Sequence, residues 1–138
     1  MSAIPGVEIT ALTQHLDDRG YLYEGVHAYD VEKFGQWYVV GNWTKGTVRG
    51  FHCHTKMWDY FHIVSGAALF VLVYQPEMQL IGDDQVDDIV KVTMPAPIIE
   101  KYVLSERRPQ LLTVPPNVFH GWKSLEENTR LVSTASEV

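Results

Sequence analysis

RGFHCHTKMWDYFHIVSG (49–66) places two histidines one residue apart, then an acid, then a short apolar run that ends at a glycine. In an extended strand, residues two apart share a face, so His52 and His54 project together. Cys53 projects away from them, where a lone cysteine reads as a small core residue. Two imidazoles side by side must share a metal, a substrate or a hydrogen-bond network. The segment after them, FHIVS, Gly66 and AALFVLVYQ, reads as two strands of one sheet joined by a hairpin turn.

On both sides of this stretch, β-branched and aromatic segments recur, punctuated by Gly, Pro, Asn and Asp, while helical periodicity is hard to find. Strands are expected at 7–12, 20–24, 36–43, 48–54, 59–65, 67–74, 88–92, 110–115 and 130–134, with a helical turn within VHAYDVEKFG (26–35). Many short strands predict an all-β antiparallel sandwich or barrel. The acidic stretch PEMQLIGDDQVDD (76–88) reads as a solvated hairpin connection; DDQVDD lacks the alternating ligands and glycine of a calcium loop.

The 138 residues suit one domain, 1–138, large enough to bury a core without disulfides. A single cysteine excludes a disulfide-built secreted scaffold and suggests a reducing cytoplasm. No apolar run is long enough to cross a bilayer, and MSAIPGVEIT has no leader character, so no membrane partner is expected. A net charge of −6 argues against a nucleic-acid partner, whose phosphates need clustered Lys and Arg. One or two arginines can still hold a diphosphate.

The outline GTVRGFHCHTKMWDYFHIVSG resembles the first cupin motif, with Gly46, His52, His54, Asp59 in the glutamate slot, and Gly66. PPNVFHG resembles the second, with Pro115, Asn117 where glycine is usual, and His120. That resemblance implies a double-stranded β-helix, or jelly roll, with the histidines in the barrel mouth. It also implies that His52, His54, Asp59 and His120 could hold a divalent Fe, Mn, Ni or Zn ion acting on a small molecule. Asp59 is either that ligand or an edge-strand acid facing water.

Whole segments resemble a second, metal-free branch of the cupins, the dTDP-4-dehydrorhamnose 3,5-epimerases. DDRGYLYE (17–24) resembles the family's D-x-R-G-x-x-x-E, VRGFHCH (48–54) its L-R-G-L-H-x-Q, and LSERRPQLLTVPPNVFHGWKSL (104–125) its run to P-x-G-x-x-H-G-F. RGFHCH is closer to the R-G-x-H-x-H of related dTDP-keto-sugar isomerases. The resemblance implies an enzyme that removes a proton beside a keto group and needs no cofactor, with His52 and His54 catalytic and His52 as the base. Arg19 and Arg49 would bind diphosphate or sugar hydroxyls, Glu24 the nucleotide, Phe51 an apolar wall or stacked base, and His120 the same pocket.

The family's lysine position is filled by Asp59. Its tyrosine acid and base-orienting aspartate lie beyond RLVSTASEV, so Tyr60 or Tyr102 is the candidate acid here. The family also implies a homodimer in which 5–14 pairs with the partner's sheet. A sugar- or nucleotide-binding module without catalysis is the third reading. His62 reads as a satisfied structural histidine; Trp43 and Trp122 could line the pocket, and the remaining tryptophans read as core or interface.

Overall fold

The computed structural model describes residues 2–77, 79–82 and 90–138. Its strands are β1 (Glu8–Ala11), β2 (Gln14–Asp17), β3 (Gly20–Tyr23), β4 (Gln36–Asn42), β5 (Val48–His52), β6 (Asp59–Ser65) and β7 (Ala67–Tyr74). They continue with β8 (Gln79–Gly82), β9 (Val90–Thr93), β10 (Ile98–Ser105), β11 (Gln110–Val114), β12 (Phe119–Ser124) and β13 (Thr129–Ala135). All pairings among the described residues are antiparallel. The fold is the expected all-β jelly roll: a sheet ordered β1-β11-β6-β13-β4 faces one ordered β10-β7-β12-β5.

The expected strands at 59–65 and 67–74 have those bounds, but they do not form a hairpin. β6 belongs to the five-stranded sheet and β7 to the four-stranded one. Gly66 is therefore a corner between sheets. Its φ of +81° suits glycine, and a Cβ there would lie 2.5 Å from Thr129 Oγ1. The corner's carbonyls find partners elsewhere: Gly66 accepts from the Glu106 N–H at 3.0 Å, and Ala67 from the Leu125 N–H at 2.8 Å. A glycine marks where a chain turns, not which strands then pair.

β2, β8, β10 and β12 are strands that the sequence pattern does not single out. The helical turn within 26–35 is one 3₁₀ turn, Ala28–Asp30. The expected connection at 76–88 contains β8, and DDQVDD (83–88) lies outside the described residues. β1 pairs with β11 of its own chain, where the sequence resemblance implied a partner's sheet. β2 and β3 form a separate two-stranded arm. Among the described residues no helix is long and apolar enough to cross a membrane.

Between the sheets, Phe61 and Ile63 of β6, Phe70 and Leu72 of β7, Leu104 of β10, Leu112 of β11 and Leu131 of β13 form one buried cluster. Burying such side chains contributes about 2 kcal/mol each. That packing fixes the frame at whose open end the histidines gather.

Candidate active site

A cavity of about 280 Å³ opens between the sheets, lined by Tyr38, Val40, Arg49, His52, His54, Phe61, His120, Gly121, Trp122 and Leu131. The polar groups come from β4, from β5 and the segment after it, and from β12. Phe61, Val40 and Leu131 form the apolar floor. Asp59, the first residue of β6, sits just behind, only 1% exposed.

Arg49 and His52 are three apart on one strand, which in regular pleating would send them to opposite faces. The β5–β12 register shifts here: His120 pairs with His52 and Trp122 with Arg49, so β5 carries an extra residue. Glycine makes this possible. Gly50 has φ +145°, and a Cβ on it would come within 2.7 Å of Gly121 Cα. The bulge turns both side chains into the cavity.

Arg49 is held in place before any ligand arrives. Its Nε donates to Asn42 Oδ1 at 2.6 Å, and a terminal nitrogen donates to the Gly41 carbonyl at 3.2 Å. The other terminal nitrogen remains for an anion or a polar oxygen. His52 is exposed to the cavity mouth, and among the described residues its ring takes no hydrogen bond.

His54, Asp59 and His120 converge. Asp59 Oδ2 lies 3.5 Å from His54 Nε2 and 3.4 Å from His120 Nε2, and one ligand atom from each residue falls within 4.8 Å of the others. Asp59 Oδ1 is buried without a hydrogen-bond partner. Burial pushes the Asp59 carboxyl up to about 6, and the charge His52 can carry pulls the other way. Burial pulls His120 below the ordinary imidazole value, against its bond to the Val118 carbonyl at 3.0 Å. A carbonyl can only accept, so His120 Nδ1 carries the proton and Nε2 presents a lone pair toward Asp59.

These three residues fit a metal ion in donor type and spacing. His52 is not part of that convergent group, which corrects the four-ligand expectation. Asp59 is buried in the site, so its reading as an edge acid facing water falls. Cys53 is exposed rather than core, because the chain leaves β5 at His52 and no second layer covers it.

Of the other expected residues, His120 and Arg49 are in the cavity. Phe51 is 55% exposed and outside its lining, since the bulge turns it outward. Arg19 and Glu24 are not brought to the cavity of their own chain: Arg19 pairs with Asp17 on the arm at 2.6 Å, and Glu24 with His27 at 2.6 Å. Trp122 is a cavity wall, whereas Trp43 is 86% exposed elsewhere. Trp37 is also exposed, at 62%, so of its two readings, core or interface, the core one falls. His62 is buried and satisfied, donating from Nδ1 to the Gln110 carbonyl and accepting at Nε2 from the Tyr23 hydroxyl.

Neither candidate acid reaches the cavity. The Tyr60 hydroxyl accepts from the Glu32 N–H at 2.6 Å, and Tyr102 donates to Glu100 at 2.9 Å. The tyrosine the cavity does contain is Tyr38 of β4. Burial raises its phenol above the ordinary value, and the Asp59 charge adds to the rise. In the structure Gln36, Tyr38 and Val40 lie on the less exposed face of β4, but the sequence alternates Tyr38 and Val40 with Trp37 and Val39 and so carries no apolar contrast that would have found it.

An antiparallel jelly roll with an imidazole-lined mouth is thus the class that fold and site define. By sequence the chain belongs to the family of the spore coat polysaccharide biosynthesis protein SpsL of Bacillus subtilis (strain 168): the two are 31% identical over 130 residues, 90% of this chain and 74% of that protein. No family model matches the chain. Among solved structures, it resembles ChmJ, a 3'-monoepimerase from Streptomyces bikiniensis in complex with dTDP-quinovose (TM-score 0.78, 20% identity, 99% of this chain and 67% of that one). It also resembles QdtA, a sugar 3,4-ketoisomerase from Thermoanaerobacterium thermosaccharolyticum in complex with TDP (TM-score 0.71, 18% identity, 98% and 83%). At these identities the likeness to solved structures is one of fold.

Proposed function

We propose that this protein is an epimerase or isomerase of a nucleotide-linked keto-sugar, of the dTDP-4-keto-6-deoxyhexose type, with His52 as the base. The observation that carries this reading is the pairing in one cavity of an unpartnered imidazole, His52, with a guanidinium already clamped by Asn42 and Gly41. The fold shared with dTDP-sugar epimerases and ketoisomerases, and the membership in a polysaccharide-biosynthesis family, support the substrate class.

His52 takes the proton from the carbon beside the keto group, and the electron pair of that C–H bond moves onto the carbonyl oxygen. Arg49 faces the developing negative charge. Tyr38, kept protonated by its burial, is placed to return a proton. Return to the opposite face of the same carbon inverts it; return at the former carbonyl carbon, with the first carbon's hydroxyl proton passing to the other oxygen of the enediol, moves the carbonyl. A cavity of about 280 Å³ suits a single sugar ring, which leaves the nucleotide at the mouth. The arm of a second chain would bring Arg19 and Glu24 to that mouth, and a homodimer is part of this proposal.

The test is proton exchange. Incubated with dTDP-4-keto-6-deoxyglucose in D₂O and followed by NMR, the protein should introduce deuterium beside the carbonyl. His52→Ala should slow the exchange at least about 10²-fold and still bind dTDP. Unchanged exchange in that variant removes His52 as the base, and dTDP binding without exchange in the parent protein selects the non-catalytic binding module.

A further inference from the structure

We propose that a second cleft, on the outer face of the five-stranded sheet, binds a protonated amino sugar: a single ring carrying hydroxyls and one free ammonium group. It lies on the far side of β6 from the histidine cavity, because Asp59 and Tyr60 are consecutive on that strand and take opposite faces. The site does not rest on the keto-sugar reading.

The sheet builds one wall of the cleft. Phe61, Leu112 and Ile9 form one cross-strand row, and the first two of them are core. Tyr60, Thr113 and Glu8 form the next row, which therefore faces outward. Trp58 is fixed beside that row: its N–H donates to Ser136 Oγ at 2.8 Å, and its carbonyl accepts from the Ser136 N–H at 3.0 Å. The Trp58 and Tyr60 rings lie within 13° of parallel, with centroids 6.4 Å apart. The turn Ala28–Asp30 and the chain after it close the other side, tied down where the Glu32 N–H meets the Tyr60 hydroxyl. The space enclosed is about 240 Å³, the scale of one sugar ring.

Charge selects the sign of the ligand. Glu8, Asp30 and Glu32 line the cleft with Tyr29, Trp58 and Tyr60, and among the described residues no lysine, arginine or histidine does. Asp30 is committed to His27, taking its backbone N–H at 2.7 Å and facing its ring at 3.2 Å. Glu8 and Glu32 form no ion pair among the described residues, and Lys33, next in sequence, is taken by Glu137 at 2.9 Å. Such a cleft repels phosphates and nucleotides. It attracts a cation twice, through the carboxylates and through the aromatic faces.

A buried hydroxyl adds the second requirement. Tyr60 is 2% exposed; its oxygen accepts from Glu32, but among the described residues its own O–H finds no acceptor. A buried donor without a partner is costly, and an ammonium group cannot relieve it because it has no lone pair. A ligand hydroxyl can. Ammonium for Glu8 and Glu32, hydroxyl for Tyr60 and a ring whose C–H face lies on Trp58 are joined in one molecule by an amino sugar.

The experiment titrates the full chain with D-glucosamine at about pH 6.5, where an amine is charged, and follows the indole N–H resonances. Trp58→Phe assigns the Trp58 signal. Saturable movement of that signal, unchanged by added dTDP, is expected. D-Glucose and N-acetylglucosamine, which lack the charge, and cyclohexylammonium, which lacks the hydroxyls, should each bind at least about tenfold more weakly. Glu8→Gln with Glu32→Gln should weaken glucosamine binding at least about fivefold, and Tyr60→Phe about threefold or more, with circular dichroism confirming that both variants are folded. Absence of saturable binding overturns the proposal. So does equal binding of N-acetylglucosamine or of cyclohexylammonium, undiminished binding in the double glutamine variant or in Tyr60→Phe, or movement of the Trp122 signal with displacement by dTDP, which would place the sugar in the histidine cavity.

Discussion

The cavity mouth and the β2–β3 arm are built from the same residue types, histidine, aspartate and arginine, and differ in whether those groups have partners. On the arm and the turn that follows it, valences are met locally. Arg19 is bonded to Asp17 through both backbone and side chain, and His27 has Glu24 on one ring nitrogen and Asp30 on the other. In the mouth, among the described residues, His52 has no hydrogen-bond partner, Asp59 Oδ1 is unpaired, and His54 and His120 face a carboxylate too distant for a good hydrogen bond. Residue identity does not separate a site from a solvated surface; leftover bonding capacity held in place by a frame does.

The strongest way to break this comparison is to delete the proposed base. His52→Ala should reduce deuterium exchange by about 10²- to 10⁴-fold, the usual contribution of a positioned acid or base. Tyr38→Phe should cost less, about 10- to 100-fold, because solvent can return a proton at an open mouth. His27→Ala, which removes a histidine with two partners, should leave exchange unchanged. A loss in His27→Ala comparable to that in His52→Ala would remove the distinction between the regions.

The next effect is thermodynamic and concerns Asp59 in chelator-stripped protein. Its folded value of about 6 stands above the ordinary 3.8, so the folded state holds the proton more tightly than the unfolded chain does. This costs nothing below about pH 4, grows as the pH rises toward 6, and is constant above that. Asp59→Asn should therefore gain about 2–3 kcal/mol at pH 8, with the gain vanishing near pH 4. Denaturant unfolding at the two pH values measures it; an equal change at both would mean that ionisation of Asp59 is not the cause.

Titration sharpens the contrast on a finer scale. Carboxylates on both sides hold His27 above the ordinary imidazole value, first Glu24 and then Asp30. Burial holds His120 below it. In metal-free protein, imidazole NMR should show His120 losing its charge at a lower pH than His27, and the reverse order would contradict the geometry of one region or the other.

Much of the cavity was legible in the sequence because His52, His54 and His120 fall in recognisable motif positions, although β5 ends at His52 and His54 reaches the cavity from the segment after it. Asp59 was legible only as a motif slot and its burial was not, because 53–58 is irregular chain between β5 and β6, and no period carries a face across it. Arg49 was named by the resemblance, but its sharing a face with His52 was not legible, since their three-residue spacing does so only through the bulge at Gly50. The jelly roll followed from strand density, but the sheet each strand joins did not: Gly66 looks the same in a hairpin and in a corner. Tyr38 escaped notice because its strand alternates Tyr and Val with Trp and Val, which does not mark the inner face.

The smallest expected effect is on the arm, and it decides whether the arm belongs to the site at all. Arg19 is 86% exposed and its partner Asp17 47% exposed, so solvent screens their ion pair and it should contribute nothing measurable to stability. Arg19→Ala should leave the unfolding midpoint almost unmoved. Its effect on dTDP affinity depends on quaternary structure, since within one chain Arg19 lines a separate surface with His15 and Tyr21, away from His52. If a second chain delivers the arm, Arg19→Ala weakens dTDP binding at concentrations where dimer forms, and has no effect where dilution leaves monomer. The exposed Leu16, Tyr21 and Leu22, 74%, 69% and 60% accessible on a two-stranded ribbon with little stability of its own, give a reason for such a contact. Unchanged affinity in a preparation shown by sedimentation to be dimeric would remove Arg19 from the site and leave Arg49 as the cavity's guanidinium.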